Sequence, residues 1–461
     1  MRGAWPLVGH AGALLRDPLG FLERAYPLGD VVALRLGPKP ALLVNDAERI
    51  LQILVADAGS YDKGFQFDQL RTLIGDGIGT SGGAKHRRQR RLMYPAFDHR
   101  HVEGYVAAMN RSATRAVAQW RDGGRIDAAH EMRLLSMNAT VRAMFEGSNL
   151  NAGADPNTGA NANAADADSA ALRGIMASLP VLLGGIGRRA LLPLDFLNRV
   201  PTAGNRRFDE ACAALHALVD RMVAEHRARQ HGASVPTPGE TPSLLSTLLS
   251  AVDEEDGSGM TDEQAHDEIM TVLLAGTETT AGTLAWTLHV LSREPDLQRE
   301  VRLEVDAALG GRLPTAADLR RLPLTRRVVS EVLRCYPPGW ILGRRPIEDV
   351  QLGDTPVAAG TQVLLNFYGL HRDPAVYPDP GRFDPGRWRD PDPALLRGRY
   401  LPFGLGSRGC IGEAFAWSLM LSTIAVTVSQ YSFTAQPGVV VRPVARTTLH
   451  PDTVPLLLEA R

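Results

Sequence analysis

The sequence predicts a mainly α fold with a minor β part. Three observations carry this. From residue 172 to 330 the apolar residues recur mostly at helical spacing, interrupted by one polar Pro/Gly stretch at 230–242. Short apolar runs punctuated by Gly, Pro and Asp occupy residues 1–50 and 337–413, the pattern of short strands. Residues 414–441 carry no charge and read as a helix buried on all sides, followed by terminal strands. The 461 residues are 44% hydrophobic and 22% charged, which excludes disorder, collagen and coiled coil for the bulk of the chain. At about 150 residues per domain the length allows roughly three domains. No linker divides the helical part, so one domain over 1–461 is expected.

Taken in order, VVALRLG and PALLVND read as two strands, and a helix starts at Asp46. SYDKGFQFDQLRTLIGDGIGTSGG reads as a Gly-rich loop whose apolar side chains, Phe65, Phe67, Leu70 and Ile74, can line a pocket or fill core. Residues 84–121 read as arginine-rich helices. Residues 148–170, rich in Asn, Ala, Asp and Gly without apolar period, read as a low-complexity surface insertion. Thr-Asp-Glu-Gln at 261–264 is a capping box that opens a helix, apolar almost all round from Ile269 to Ala275. Pro337 and Pro338 end a later helix that carries Glu331 and Arg334.

Charge and cysteine count narrow the function. The net charge of −1 gives no basic excess for nucleic acid, and none is expected as a partner. Three scattered cysteines make no disulfide framework, which suits a reducing, cytoplasmic setting. Neither the N-terminal stretch nor 414–441 has an apolar run of membrane-spanning length, so no membrane anchor is expected. The informative cysteine is Cys410, in YLPFGLGSRGCIGEAFAW. Gly404, Gly406, Gly409 and Gly412 let backbone approach a flat partner closely. The thiol stands where the loop enters a helix, whose N-terminus favours a thiolate. Arg408 offers a cation and Phe403 can wedge beneath a ring. A thiolate and a cation on such a loop suit a haem needing a proximal ligand and a carboxylate partner.

The pattern Phe403-Gly-x-Gly406-x-Arg408-x-Cys410-x-Gly412 resembles the haem-binding loop of the cytochrome P450 family, and further motifs follow in that family's order over nearly the whole chain. The resemblance implies the cytochrome P450 fold, a helix-rich domain plus a small β-sheet region, holding haem b (iron protoporphyrin IX) with Cys410 as iron ligand. It implies that Ala275-Gly276-Thr277-Glu278-Thr279-Thr280 is the oxygen-activation motif, with Glu278 and Thr279 as catalytic acid–alcohol pair. Taken alone, that run is a helix kink with a paired acid. Glu331-x-x-Arg334 with Arg387 would be a fold lock, and Cys335 and Cys212 structural thiols. His86 and Arg90, about 40° apart on one helix face, would reach the propionates together with Arg344 and Arg408; Arg345 is the rival of Arg344.

The implied activity is monooxygenation of an apolar small molecule by dioxygen. Phe65, Phe67, Leu70, Ile74, Leu274, Ala275, Trp340, Ile341 and Leu342 are the candidate pocket wall, which suits a terpenoid or polyketide-like secondary metabolite. YDKGFQFD and HRRQRRLMYPAF also resemble bacterial terpenoid-oxidising members such as the pentalenene oxygenases. No flavin or iron–sulfur module is evident in the chain, so ferredoxin and ferredoxin reductase are the expected electron donors, and a monomer is expected. Arg87, Arg88 and Arg91, on the far face of the His86 helix, form the expected ferredoxin patch, with a plain solvated helix face as the alternative. Two other activities stay open: a peroxide-driven hydroxylase, and a haem-thiolate binding protein without turnover.

Overall fold

A computed structural model describes residues 8–145, 200–230 and 242–461, with scattered positions between 174 and 186. The 148–170 insertion and the 231–241 part of the long loop lie outside the described residues. Among the described residues, helices of ten or more residues are α1 (Phe65–Ile74), α2 (Gly83–Phe97), α3 (His99–Val117), α4 (Ala128–Phe145), α5 (Ala203–Gln230), α6 (Asp262–Arg293), α7 (Pro295–Leu309), α8 (Pro323–Cys335) and α9 (Glu413–Gln430). The main sheet joins β1 (Val31–Leu36), β2 (Lys39–Val44), β3 (Tyr61–Lys63), β5 (Leu342–Pro346) and β8 (Gln362–Leu365) in the order β1-β2-β8-β5-β3. Smaller sheets pair β4 (Arg125–Asp127), β12 (Pro455–Ala460) and β9 (Tyr431–Ala435), β6 (Val350–Leu352) with β7 (Thr355–Val357), and β10 (Pro443–Ala445) with β11 (Leu449–Pro451).

The helix start at Thr261 is as the capping box requires. The Gln264 amide N–H donates to Thr261 Oγ1, and the Thr261 amide donates back to Gln264 Oε1, each at 3.1 Å. The helix then runs 32 residues, because its middle is buried against α4 and α9 and needs no exposed polar face. α9 is buried along most of its length, and no helix among the described residues is long and apolar enough to cross a membrane.

The Gly-rich segment after Ser60 departs from the loop expectation. It forms β3 and then α1, with Gly64 at the N-cap and Gly75, at φ +71°, closing the C-terminus. Leu73 and Ile74 are buried against the helical core, and that packing pays for a helix the local sequence only weakly supports.

The expected lock is present and fully buried. Arg334 Nε and Nη2 donate to Glu331 Oε2 and Oε1 at 2.9 and 2.8 Å, with neither side chain exposed. Trp388 Nε1 and the Asp384 amide donate to the same carboxylate, and Arg387 Nε lies 3.4 Å from it. Arg334 spends further donors on the carbonyls of His371 and Pro380 and on Cys335 Sγ. Removing one partner of such a pair strands the other charge in the interior. Glu331→Gln is expected to lower unfolding stability by about 3–5 kcal/mol, read from denaturant unfolding; a loss below about 1 kcal/mol would mean that the pair does not hold this region.

Candidate functional site

Cys410 lies between a short turn at Gly406–Arg408 and the N-cap of α9, Gly412. Its amide donates to Phe403 O at 2.8 Å, which closes the loop. The glycine at 406 is obligatory: φ is +73°, and a Cβ there would sit 2.3 Å from Leu54 O. Arg90 Nη1 donates to Gly409 O at 2.7 Å, tying α2 to the loop. The thiol opens onto a cavity of about 380 Å³. Burial pushes it up to about 11, and the Gly412 amide at the helix terminus opposes this without overcoming it. The helix terminus alone therefore does not make the thiolate; a positive partner at sulfur must.

His86, Arg90, Arg344, Phe403, Arg408, Cys410 and Gly412 all line this one cavity. Arg344 is the arginine that reaches it, 4% exposed, whereas Arg345 pairs with Asp68 at 2.9 Å. Lys63 joins the group, although nothing in the sequence singled it out beyond being one of three lysines. It is buried, donates to the carbonyls of Ile78 and Gly79 at 2.6 and 2.8 Å, and lies directly across the β3–β5 ladder from Arg344. Like charges opposite one another in a sheet destabilise it. Burial first, then Arg344 and Arg408, push Lys63 down to about 7, and burial with Lys63 and the arginines pushes His86 down to about 4. No Asp or Glu lines the cavity among the described residues. Five basic groups thus converge on a cavity with no carboxylate in its lining, Asp62 lying behind Lys63, Arg344 and Arg408. That arrangement fits a flat group with two carboxylates beside a metal facing Cys410.

Opposite the thiol, α6 brings Ala275, Gly276, Thr279, Thr280 and Thr283 to the wall. Thr279 Oγ1 donates back to Ala275 O at 2.7 Å, the backbone contact its position suggests. Glu278 is not in the wall. It turns to β11, where His450 Nε2 lies 3.8 Å from its Oε1, and burial raises its carboxyl above the usual range. Of the apolar candidates, the structure brings Phe67, Ala275 and Leu342 to the cavity. It brings Ile74 into the helical core, with Leu70 and Leu274 packed against that core. Leu274 precedes Ala275 by about 100° around α6, which turns it off the wall. Phe65 opens α1, its amide donating to Gln362 Oε1 at 3.1 Å. Trp340 is buried under the sheet with Nε1 donating to Arg446 O at 2.9 Å, and Ile341 packs beside it. Ile78, Phe97, Leu244 and Phe415 complete an apolar wall.

The expected basic patch on α2 is altered by a loop that the sequence did not associate with it. Arg88 lies 3.4 Å from Asp253 and Asp256, and Arg91 meets Asp253 and Glu255 at 3.0 and 2.7 Å. Arg87 has no carboxylate partner among the described residues. It borders a groove lined also by Arg90, Arg91, Tyr94, the acidic Asp253 and Glu254, and Ser407 of the cysteine loop. α2 therefore separates the cavity from a surface groove.

The family model described as Cytochrome P450 matches residues 2–457. Cyclooctatin synthase of Streptomyces melanosporofaciens is 38% identical over all of this chain and 95% of its own length. Cyclooctat-9-en-7-ol 5-monooxygenase of the same organism is 37% identical, over all of this chain and 94% of its own. Pentalenene oxygenase of Streptomyces avermitilis is 36% identical, over all of this chain and 96% of its own.

Glu268 lies one turn from Thr271, fully buried, and accepts from the Ile78 amide at 2.8 Å. Burial and Asp267 raise its carboxyl to about 8. Between pH about 4.5 and about 8 the unfolded chain releases this proton and the folded protein keeps it. The contribution to stability is complete below 4.5 and is lost as pH rises to 8. Glu268→Gln lacks that loss. Its stability relative to the parent is expected to improve from pH 5 to pH 8, by chemical denaturation; a pH-independent difference would mean that Glu268 is ionised in the fold.

Proposed function

The chain belongs to the cytochrome P450 family and is a haem-thiolate monooxygenase, and on that premise we propose that it inserts one oxygen atom from dioxygen into an apolar terpenoid skeleton. The convergence of the Cys410 thiol, five basic groups and Thr279 on one apolar cavity carries this reading. Cys410 is the iron ligand of haem b, and Lys63, His86, Arg90, Arg344 and Arg408 take its propionates. The haem supplies the activation of dioxygen when bound. Everything else is done by the chain. Gly276 and Ala275 leave room at α6, Thr279 presents a hydroxyl to the cavity, and Glu278 behind it stores a proton. Thr279 Oγ1 donates to Ala275 O in the resting arrangement, which leaves its lone pairs free to accept a proton donor from the cavity. The aromatic and aliphatic wall binds by excluding water and offers few polar anchors. That composition and the names of the three relatives favour a terpenoid over a polyketide-like molecule.

Electrons come from a separate ferredoxin and its reductase, docking at the groove between α2 and the cysteine loop, in a cytoplasmic monomer. Because Arg88 and Arg91 are already neutralised, Arg87 is the steering cation.

Two measurements test this. In the reduced carbon monoxide complex the parent is expected to show the strongly red-shifted band of thiolate ligation, and Cys410→Ser to lose it; retention of that band in Cys410→Ser would overturn the assignment. Reduction by a ferredoxin is expected to slow in Arg87→Glu, with a flatter dependence on ionic strength, while Arg100→Glu, an exposed arginine on α3, keeps parent rates. Parent-like rates and slopes in Arg87→Glu would move the docking site elsewhere.

A further inference from the structure

We propose that His450 is the inlet through which solvent protons reach Glu278, so that β11 acts as a proton-relay element of this enzyme. The proposal rests on the reading of Glu278 and Thr279 as the proton-delivering pair.

The geometry starts from α6. Glu278 and Thr279 are about 100° apart around the helix, so one faces β11 while the other faces the cavity. One turn further on, Gly282 permits the strand to come close: a Cβ there would meet His450 Cβ at 3.3 Å and Leu449 O at 3.4 Å. That approach places His450 Nε2 3.8 Å from Glu278 Oε1. The two side chains are 15% and 12% exposed, so the pair is largely enclosed. Closing that distance by about 1 Å makes a hydrogen bond, the kind of tightening a resting site shows on the way to its working form.

The other ring nitrogen points to where the proton comes from. His450 Nδ1 is buried and has no hydrogen-bond partner among the described residues, and neither have the hydroxyls of Thr447 and Thr448. The Thr448 side chain lies beside the Glu278 carboxyl. Thr447, Thr448 and His450 thus lie on one short stretch that begins at Arg446, which is exposed. Buried polar atoms without protein partners are normally satisfied by ordered water.

The charges around the pair suit a relay. Arg133 on α4 and Arg446 face both groups, and Asp452 faces the ring. Burial, then Arg133 and Arg446, hold His450 down at about 4, so the ring is neutral at physiological pH. Burial holds Glu278 up, so the carboxyl readily takes a proton back. The step is a proton transfer without redox change. When Glu278 has given its proton to the cavity, a hydronium proton bonds to Nδ1 as its O–H bond breaks. The Nε2–H bond breaks as the Glu278 Oε1–H bond forms. The ring is left neutral as the Nδ1–H tautomer and returns to the Nε2–H form by exchange with water.

The test follows the carboxyl proton itself. In the ferric holoenzyme, at a pH low enough to protonate Glu278, the infrared band of its carboxyl, identified by its loss in Glu278→Gln, shifts on transfer into D2O. Its exchange rate is expected to fall about tenfold or more in His450→Phe, and to fall in Thr447→Val, with His450→Lys restoring part of it. The fraction of electrons recovered in product is expected to fall in the same order. Parent exchange rates in His450→Phe would overturn the inlet. The underlying reading fails separately: if Glu278→Gln and Thr279→Ala keep parent coupling, the pair is not the proton source, whatever His450 does to exchange.

Discussion

Arg334 and Glu331, a guanidinium and a carboxylate closed off from solvent, stand where α8 meets three stretches of irregular chain. The pair survives burial because every neighbour helps to satisfy it: the carboxylate takes Arg334, Trp388 and the Asp384 amide, and the guanidinium also takes the carbonyls of His371 and Pro380. Segments with little regular structure are thereby fixed by charge-assisted hydrogen bonds in place of a sheet ladder. The order continues toward the site. His371, whose carbonyl Arg334 holds, accepts the Leu401 amide on its Nε2 at 2.9 Å, and Leu401 leads into the cysteine loop. The loop is then closed by the Cys410 amide on Phe403 O.

A second constraint has the opposite sign. Lys63, His86, Arg90, Arg344 and Arg408 are brought together by β3, β5, α2 and the loop; Arg344 and Arg408 lower the proton affinity of Lys63, and Lys63 with the three arginines lowers that of His86. The protein alone carries this repulsion in a poorly solvated cleft, stabilised elsewhere by the core and the lock. A dianionic occupant converts it into attraction. The same arrangement thus favours a group with two carboxylates, and it leaves the rest of the wall apolar for the substrate.

What the sequence disclosed depended on how local the signal was. The α6 N-terminus and the glycine geometry around Cys410 are written in consecutive residues, and both were legible. Arg344 and Arg345 were legible as rivals for the cavity, and the two side chains do diverge, one to the cavity and one to Asp68. Lys63 was invisible because its role comes from strand pairing with Arg344, which no local pattern encodes. Trp340 and Ile341 were legible as apolar but not as to direction: the cavity side goes to Leu342, and the tryptophan is turned beneath the sheet to find an acceptor for its N–H. The helix α1 was hidden by its flanking glycines, since its stability comes from tertiary packing of Leu73 and Ile74. Arg88 and Arg91 were legible as surface cations; the acidic loop at 253–256 that neutralises them is more than 150 residues away in the chain.

These contacts also divide the traffic of the site by direction. α6 presents Thr279 to the cavity and Glu278 to β11, so whatever reaches Glu278 arrives behind the helix and not through the substrate space. α2 presents His86 and Arg90 both to the cavity and to the groove beside the cysteine loop, which sets the proposed electron entry on the thiol side. Substrate meets a wall with few polar groups other than the basic cluster and the threonines of α6. A monooxygenase of this kind consumes protons and electrons in step, and water admitted to the cavity would let them be spent without product. Carrying protons through a histidine and a carboxyl packed between α6 and β11, with Gly282 allowing the two elements to touch, is a way to deliver them while the cavity stays dry. The cost falls on Glu278, a buried acid beside Thr448 and His450, whose proton affinity burial raises.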